Sequence, residues 1–287
     1  MISEAGSMPS GPSETVQIPG SFSVETSAEF RQRGLVKLPG FLPGELLVPV
    51  RDRLYQVLER AEVCRDRSWI AERVSDPESF LAYQSQLQKR LKASSQEILS
   101  SCNLAELHAP AEELAQEALQ SLVELPQLLF TAPNAEHWSL PTSMWHVDVP
   151  RLGGAGCPGV QMFTFVDEVL SGAGGTVVIA GSHHYANDSG RLKSKLVKKQ
   201  LRQTHPWFKQ LFDGKGVDDR AYLDTPTRDG PVELQVVELT GQPGDVYFMD
   251  IRMIHSLAPN ASDFPRLMLT QRYFATKYGK NWYGGTE

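Results

Sequence analysis

The chain has 287 residues, 41% of them hydrophobic, and a formal net charge of -6. That is enough apolar material for one large barrel- or sandwich-type domain, or for two small ones. The acidic balance gives no reason to expect nucleic acid or an anionic membrane as the main partner, and apolar runs such as Val177-Val178-Ile179-Ala180 are far too short to span a bilayer.

Residues 1–22 are rich in Ser, Gly, Pro and Glu without periodicity and read as a flexible tail. The tail has no basic segment leading into an apolar core, so no signal peptide is expected. Cys64, Cys102 and Cys157 are scattered and odd in number, which argues against a disulfide framework and for a reducing, cytoplasmic compartment. Gly34-Leu35-Val36-Lys37-Leu38-Pro39-Gly40 predicts a short strand closed by a turn. Pro43-Gly44-Glu45 opens a helix whose apolar positions, Leu46 to Ala61, recur at helical spacing. A second helix is expected around 76–93. A third is expected from Pro110 through Leu114 and Leu119 to Val123.

From about residue 125 the runs become short, β-branched and aromatic, with Gly and Pro between them. Leu128 to Thr131, Thr142 to Val149, Val160 to Asp167, Thr176 to Ala180, Val232 to Leu239, Asp245 to Met249 and Leu267 to Ala275 all predict strands. With helices gathered before them, the pattern is mainly β with α-helical cover, an antiparallel double sheet. One domain is expected over 23–287, with helical support about 43–124, a β core about 125–277 and a lid-like insert about 182–231. The insert is long for a barrel loop and should carry its own helix. Its basic residues between Arg191 and Arg202, with no acid among them, fit a solvated helix face or a surface that attracts an anionic substrate.

Trp145-His146-Val147-Asp148 carries the chemistry. In an extended segment, side chains at i and i+2 share a face, so His146 and Asp148 can reach one metal ion together. Of the seven histidines, His255 is the best third ligand, because it follows the turn and strand Gly244 to Asp250 and could lie beside the pair in a double sheet. Two imidazoles and one carboxylate with open positions opposite form the facial triad of non-haem Fe(II) oxygenases. Arg266, eleven residues after His255, opens the last strand. Its planar fork can pair with the far carboxylate of a small dicarboxylate that chelates the iron at its other end. His183 and His184 follow a strand directly and suit a turn or a support role.

With these residues in place, the chain resembles the phytanoyl-CoA dioxygenase family of Fe(II)/2-oxoglutarate-dependent oxygenases. The resemblance runs through Gly34 to Leu42, Trp145 to Asp148, Gly174 to His183, His255 to Asn260 and Arg266. It implies a double-stranded β-helix (jelly roll), with Fe(II), 2-oxoglutarate and O2 as cofactor and co-substrates. It further implies iron binding by His146, Asp148 and His255, and pairing of Arg266 with 2-oxoglutarate. The expected reaction is oxidation, above all hydroxylation, of a C–H bond in a small molecule, with release of succinate and CO2. Halogenating relatives have Gly or Ala at the carboxylate position, so Asp148 argues for oxygen chemistry. Family members often carry a hydroxyl two residues after the second His, where this chain has Leu257; Thr176 on a neighbouring strand is the expected substitute. Gln161 sits where some relatives hydrogen-bond the co-substrate. The substrate class is open between natural products and acyl chains, as is any closing role for Trp282-Tyr283. The alternatives are a cupin-type metal enzyme without 2-oxoglutarate, disfavoured by the lack of a clustered H-x-H, and a non-catalytic barrel, disfavoured because all four site residues are present.

Overall fold

The computed structural model describes residues 21–74, 76–101, 104–121, 123–148, 156–185, 194–214 and 219–277. The expectations for residues 1–20, Arg191, Lys193, Trp282 and Tyr283 fall outside that set. Helix α1 (Val24–Arg33) comes first and leads into β1 (Leu35–Leu38). Next come α2 (Val48–Arg60), the small hairpin β2 (Cys64–Arg65) and β3 (Ser68–Trp69), α3 (Pro77–Ser101) and α4 (His108–Ala115). Strands β4 (Leu119–Ser121), β5 (Gln127–Thr131), β6 (Gly159–Phe165) and β7 (Thr176–Ala180) follow. Helices α5 (Ser194–Thr204), α6 (Pro206–Asp213) and α7 (Asp219–Asp224) precede β8 (Thr227–Asp229) and β9 (Val232–Glu238). The chain then forms β10 (Val246–Asp250), β11 (His255–Leu257) and β12 (Arg266–Ala275).

Two antiparallel sheets face each other. The larger runs β1-β10-β6-β12-β4, with β5 also paired to β12; the smaller runs β11-β7-β9-β8. Alternation along the strands sorts their side chains into layers. Phe163, Phe165, Tyr247, Met249 and Met268 of the large sheet meet Val178 and Ala180 of the small one between the sheets. Val160, Met162, Phe248, Leu267 and Leu269 point the other way and pack under Val50, Leu54, Leu58 and Leu91 of α2 and α3. Val177, Ile179, Leu234 and Val236 on the outer face of the small sheet are covered by Val197, Leu201, Phe208 and Phe212. Strands buried on both faces explain why their sequences read as continuous apolar runs. Among its described residues the insert accordingly holds three α-helices over that outer face, where one was expected. On α5, Val197 and Leu201 are buried, while Lys195, Lys199 and Arg202 are exposed.

Three local expectations change. Helix α1 was not expected. Ser23 caps it by accepting from the Thr26 amide, and Gly34 ends it in the left-handed region, but Phe30 is its one buried residue, so its apolar signal is weak. The third helix stops at Ala115 because Gln116 turns left-handed, and Leu119–Ser121 pairs with Tyr273–Ala275 as a strand. The expected strand 142–149 reduces to a single bridge, His146 to His255. Met144 just before it has φ 66°, which breaks an extended run, and Val149 lies outside the described residues.

The turn after β7 shows how the fold reaches the site. Gly181 has φ 84°, and a Cβ there would stand 2.1 Å from the Glu233 carbonyl oxygen. Next to it, the Ser182 hydroxyl accepts from the Ile254 amide at 2.9 Å, one residue before His255. Gly181→Ala should therefore destabilise the protein by at least ~1–3 kcal/mol, read as a lower urea midpoint at unchanged m-value.

Candidate active site

His255 lies on β11, paired to β7 with His255 opposite Val178. His146 joins that sheet through two reciprocal backbone bonds to His255, each 2.9 Å. The preceding Trp145 is 1% exposed, tilted against Phe212 with ring centroids 6.1 Å apart, and donates its indole N–H to the Pro141 carbonyl at 2.6 Å. The irregular segment is thus anchored at His146 itself and at the residue before it. The two imidazole rings stand 4.3 Å apart between centroids. Each uses Nδ1 on a carbonyl two residues back: His146 with Met144 at 2.8 Å and His255 with Met253 at 3.0 Å. That leaves both Nε2 atoms for a common target. Asp148 Oδ1 lies 3.5 Å from His146 Nε2 and 3.7 Å from His255 Nε2. The ligand atoms of the three residues all lie within 4.8 Å of one another, close enough to hold one metal ion.

Electrostatics follow the geometry. The Asp148 hydrogen bond outweighs burial and raises the pKa of His146 above the ordinary histidine value. Burial opposes the charge of Asp148 itself. Hydrogen bonds from both imidazoles, with the charges of His255 and Arg272, win and hold its carboxyl well below the usual range.

Arg266 opens β12, is 3% exposed, and faces the space between the sheets. Its Nη1 donates to Thr176 Oγ1 at 3.3 Å, and its Nε has no partner. Among the described residues no carboxylate offsets its charge, and burial pushes the guanidinium down to about 9. Thr176 is the cross-strand neighbour of Leu257, so its hydroxyl stands on the strand beside the position where the family often has one. Gln161 on β6 donates from Nε2 to Thr270 Oγ1 at 3.1 Å, and its buried Oε1 has no partner. Two buried, unpartnered polar atoms are costly unless something polar binds there.

His183 and His184 stay apart from this cluster. Their Nε2 atoms sit on the Arg31 and Gln32 carbonyls at 3.1 and 3.0 Å, tying the turn after β7 to the end of α1. Arg272 was missed on sequence reasoning. It lies on β12, six residues past Arg266, and its Nε and Nη2 both reach Asp148 Oδ2 at 2.6 Å. The even offset, which puts it on the same strand face as Arg266, was the signal available.

The phytanoyl-CoA dioxygenase family profile matches residues 30–268. No curated protein matches the sequence at a significant level. Among solved structures, EctD from S. alaskensis, crystallised with 2-oxoglutarate and 5-hydroxyectoine, superposes with a TM-score of 0.52 at 15% identity, covering 92% of this chain and 80% of EctD. AviO1 from Streptomyces viridochromogenes gives 0.50 at 18% identity, with 91% and 96% covered. SnoK, a non-haem α-ketoglutarate-dependent carbocyclase of nogalamycin biosynthesis, gives 0.50 at 17%, with 89% and 85% covered. At these identities the likeness shows the fold, a jelly roll. With the profile covering most of its length, this chain belongs to the phytanoyl-CoA dioxygenase family of Fe(II)/2-oxoglutarate-dependent oxygenases.

Proposed function

We propose that the protein hydroxylates a C–H bond of a small molecule, with iron held by His146, Asp148 and His255 and 2-oxoglutarate held by Arg266. The observation that carries this reading is Arg266: a buried guanidinium without a carboxylate partner, in the same barrel as a two-histidine, one-carboxylate cluster. The donor set suits Fe(II), since two neutral nitrogens and one carboxylate leave further positions open. The guanidinium suits a carboxylate, which supplies the hydrogen bonds and the negative charge it lacks.

When bound, iron with 2-oxoglutarate and O2 supplies the oxidant for the C–H bond, and succinate and CO2 are released. The chain contributes placement. The Met144 and Met253 carbonyls hold the imidazoles by Nδ1, so that their Nε2 atoms turn toward the metal. Thr176 orients Arg266, and Gln161 brings a free carbonyl oxygen to the barrel interior. Met268 packs against that guanidinium, its Sδ 3.5 Å from Nη1. Asp148 occupies the carboxylate position, which favours oxygen chemistry over halogen transfer.

A cavity of about 500 Å³ between α3 and the β5–β12 end offers room for the substrate. Ala93, Leu99, Leu125 and Leu128 wall it, and Thr270 and Arg272 close its inner side. Its size and apolar walls suit a small organic molecule; Arg272 joins it to Asp148. Small-molecule turnover agrees with the relatives above, which include EctD with 5-hydroxyectoine bound and a natural-product carbocyclase. No helix of the described residues is long and apolar enough to cross a membrane. Free Cys64 and Cys157, and the ferrous iron, fit a reducing cytoplasm.

Succinate release from 2-oxoglutarate with Fe(II), measured across a panel of natural-product and acyl substrates, tests the reading. Substrate-stimulated succinate supports it, and metal-loaded protein that binds no 2-oxoglutarate refutes it. Thr176→Val should raise KM for 2-oxoglutarate a few-fold to about tenfold, the worth of one hydrogen bond of ~0.5–1.5 kcal/mol, with kcat little changed.

A further inference from the structure

Each histidine of the cluster carries its own support, a hydrogen bond from Nδ1 to a backbone carbonyl two residues back. Among the described residues Asp148 has no bond of that kind to the backbone. Its nearest described partner is Arg272. Two of its N–H groups converge on Asp148 Oδ2 at 2.6 Å, while Nη1 donates to Gln127 Oε1 on β5 at 3.0 Å. The guanidinium is therefore held from β5 and cannot follow the carboxylate outward. Asp148 Oδ1 is left facing both Nε2 atoms.

We propose that Arg272 is a positioning residue, holding Asp148 by Oδ2 so that Oδ1 faces the metal. The inference rests on the metal centre proposed above. Outer partners of metal ligands act by orienting them before the ion arrives, which saves the cost of ordering a side chain on binding. The planar fork offers Nε and Nη2 to the carboxylate and Nη1 to Gln127 in fixed directions, a geometry that the compact, freely rotating ammonium of lysine does not reproduce.

The test is Mn(II) binding by equilibrium dialysis for wild type, Arg272→Met, Arg272→Lys and Gln127→Ala, together with thermal unfolding of each metal-free protein. Arg272→Met should bind Mn(II) about 10–100-fold more weakly than wild type. Arg272→Lys should recover part of that loss, and Gln127→Ala should lose less than Arg272→Met. A merely structural Arg272 would lower the metal-free unfolding temperature and leave Mn(II) affinity unchanged, and that result overturns the proposal. If Arg272→Met fails to fold, wild-type affinity in both Arg272→Lys and Gln127→Ala overturns it equally. Wild-type protein that binds no Mn(II) would instead bring down the metal centre itself.

Discussion

Replacing His146 with alanine leaves a folded protein that binds no divalent metal and releases no succinate above background. The side chain is 45% exposed, so its removal takes little from the core, and stability should stay within about 1 kcal/mol of wild type. Its Nε2 is one of three candidate donors, and two donors cannot make a facial triad. The loss of metal affinity should exceed the ~10–100-fold expected for an outer partner such as Arg272. Mn(II) dialysis checks the binding, and circular dichroism checks the fold. The wild-type protein adds a pH signature. A metal competes with a proton for His146, and Asp148 raises that proton's affinity. Metal binding should therefore weaken as pH falls through a value above the ordinary histidine range. Wild-type turnover by His146→Ala would remove it from the site.

Replacing Arg266 with methionine should separate co-substrate binding from metal binding. Mn(II) affinity stays at the wild-type level, because Arg266 makes no described contact with the three ligands. Affinity for 2-oxoglutarate drops, since truncating one partner of a buried charge pair costs ~2–5 kcal/mol, or about 30-fold and upward. Stability moves the other way. A guanidinium buried without a counter-charge is a liability in the co-substrate-free protein, so methionine should raise its unfolding temperature. The sign follows from linkage: burial lowers the guanidinium from its ordinary value to about 9. The penalty is then present in full below about pH 9 and is relieved only as pH rises beyond it. The stability gap between variant and wild type should be flat from about pH 6 to 8. Added 2-oxoglutarate should stabilise metal-loaded wild type and leave the variant unmoved. Unaltered 2-oxoglutarate affinity in Arg266→Met would place the carboxylate elsewhere.

What could be read without the structure was what periodicity and residue chemistry carry locally. Thr176–Ala180, Val232–Glu238 and Arg266–Ala275 are strands because β-branched and aromatic residues run between turn signals. His146 and Asp148, two apart, do converge, and Arg266 at the start of the last strand is buried. The tertiary structure decided the rest, because long-range pairing overrides local pattern. Leu119–Ser121 continues a helical pattern but has an open edge of β12 to pair with. Residues 142–148 look like a strand, yet among the described residues their sheet pairing is the bridge of His146 to His255, far along the chain. Thr176 comes to lie opposite Leu257 only because β7 and β11 pair in this register. Arg272 meets Asp148 for the same reason: its even offset from Arg266 gives the strand face, and only the fold brings the distant Asp148 against it.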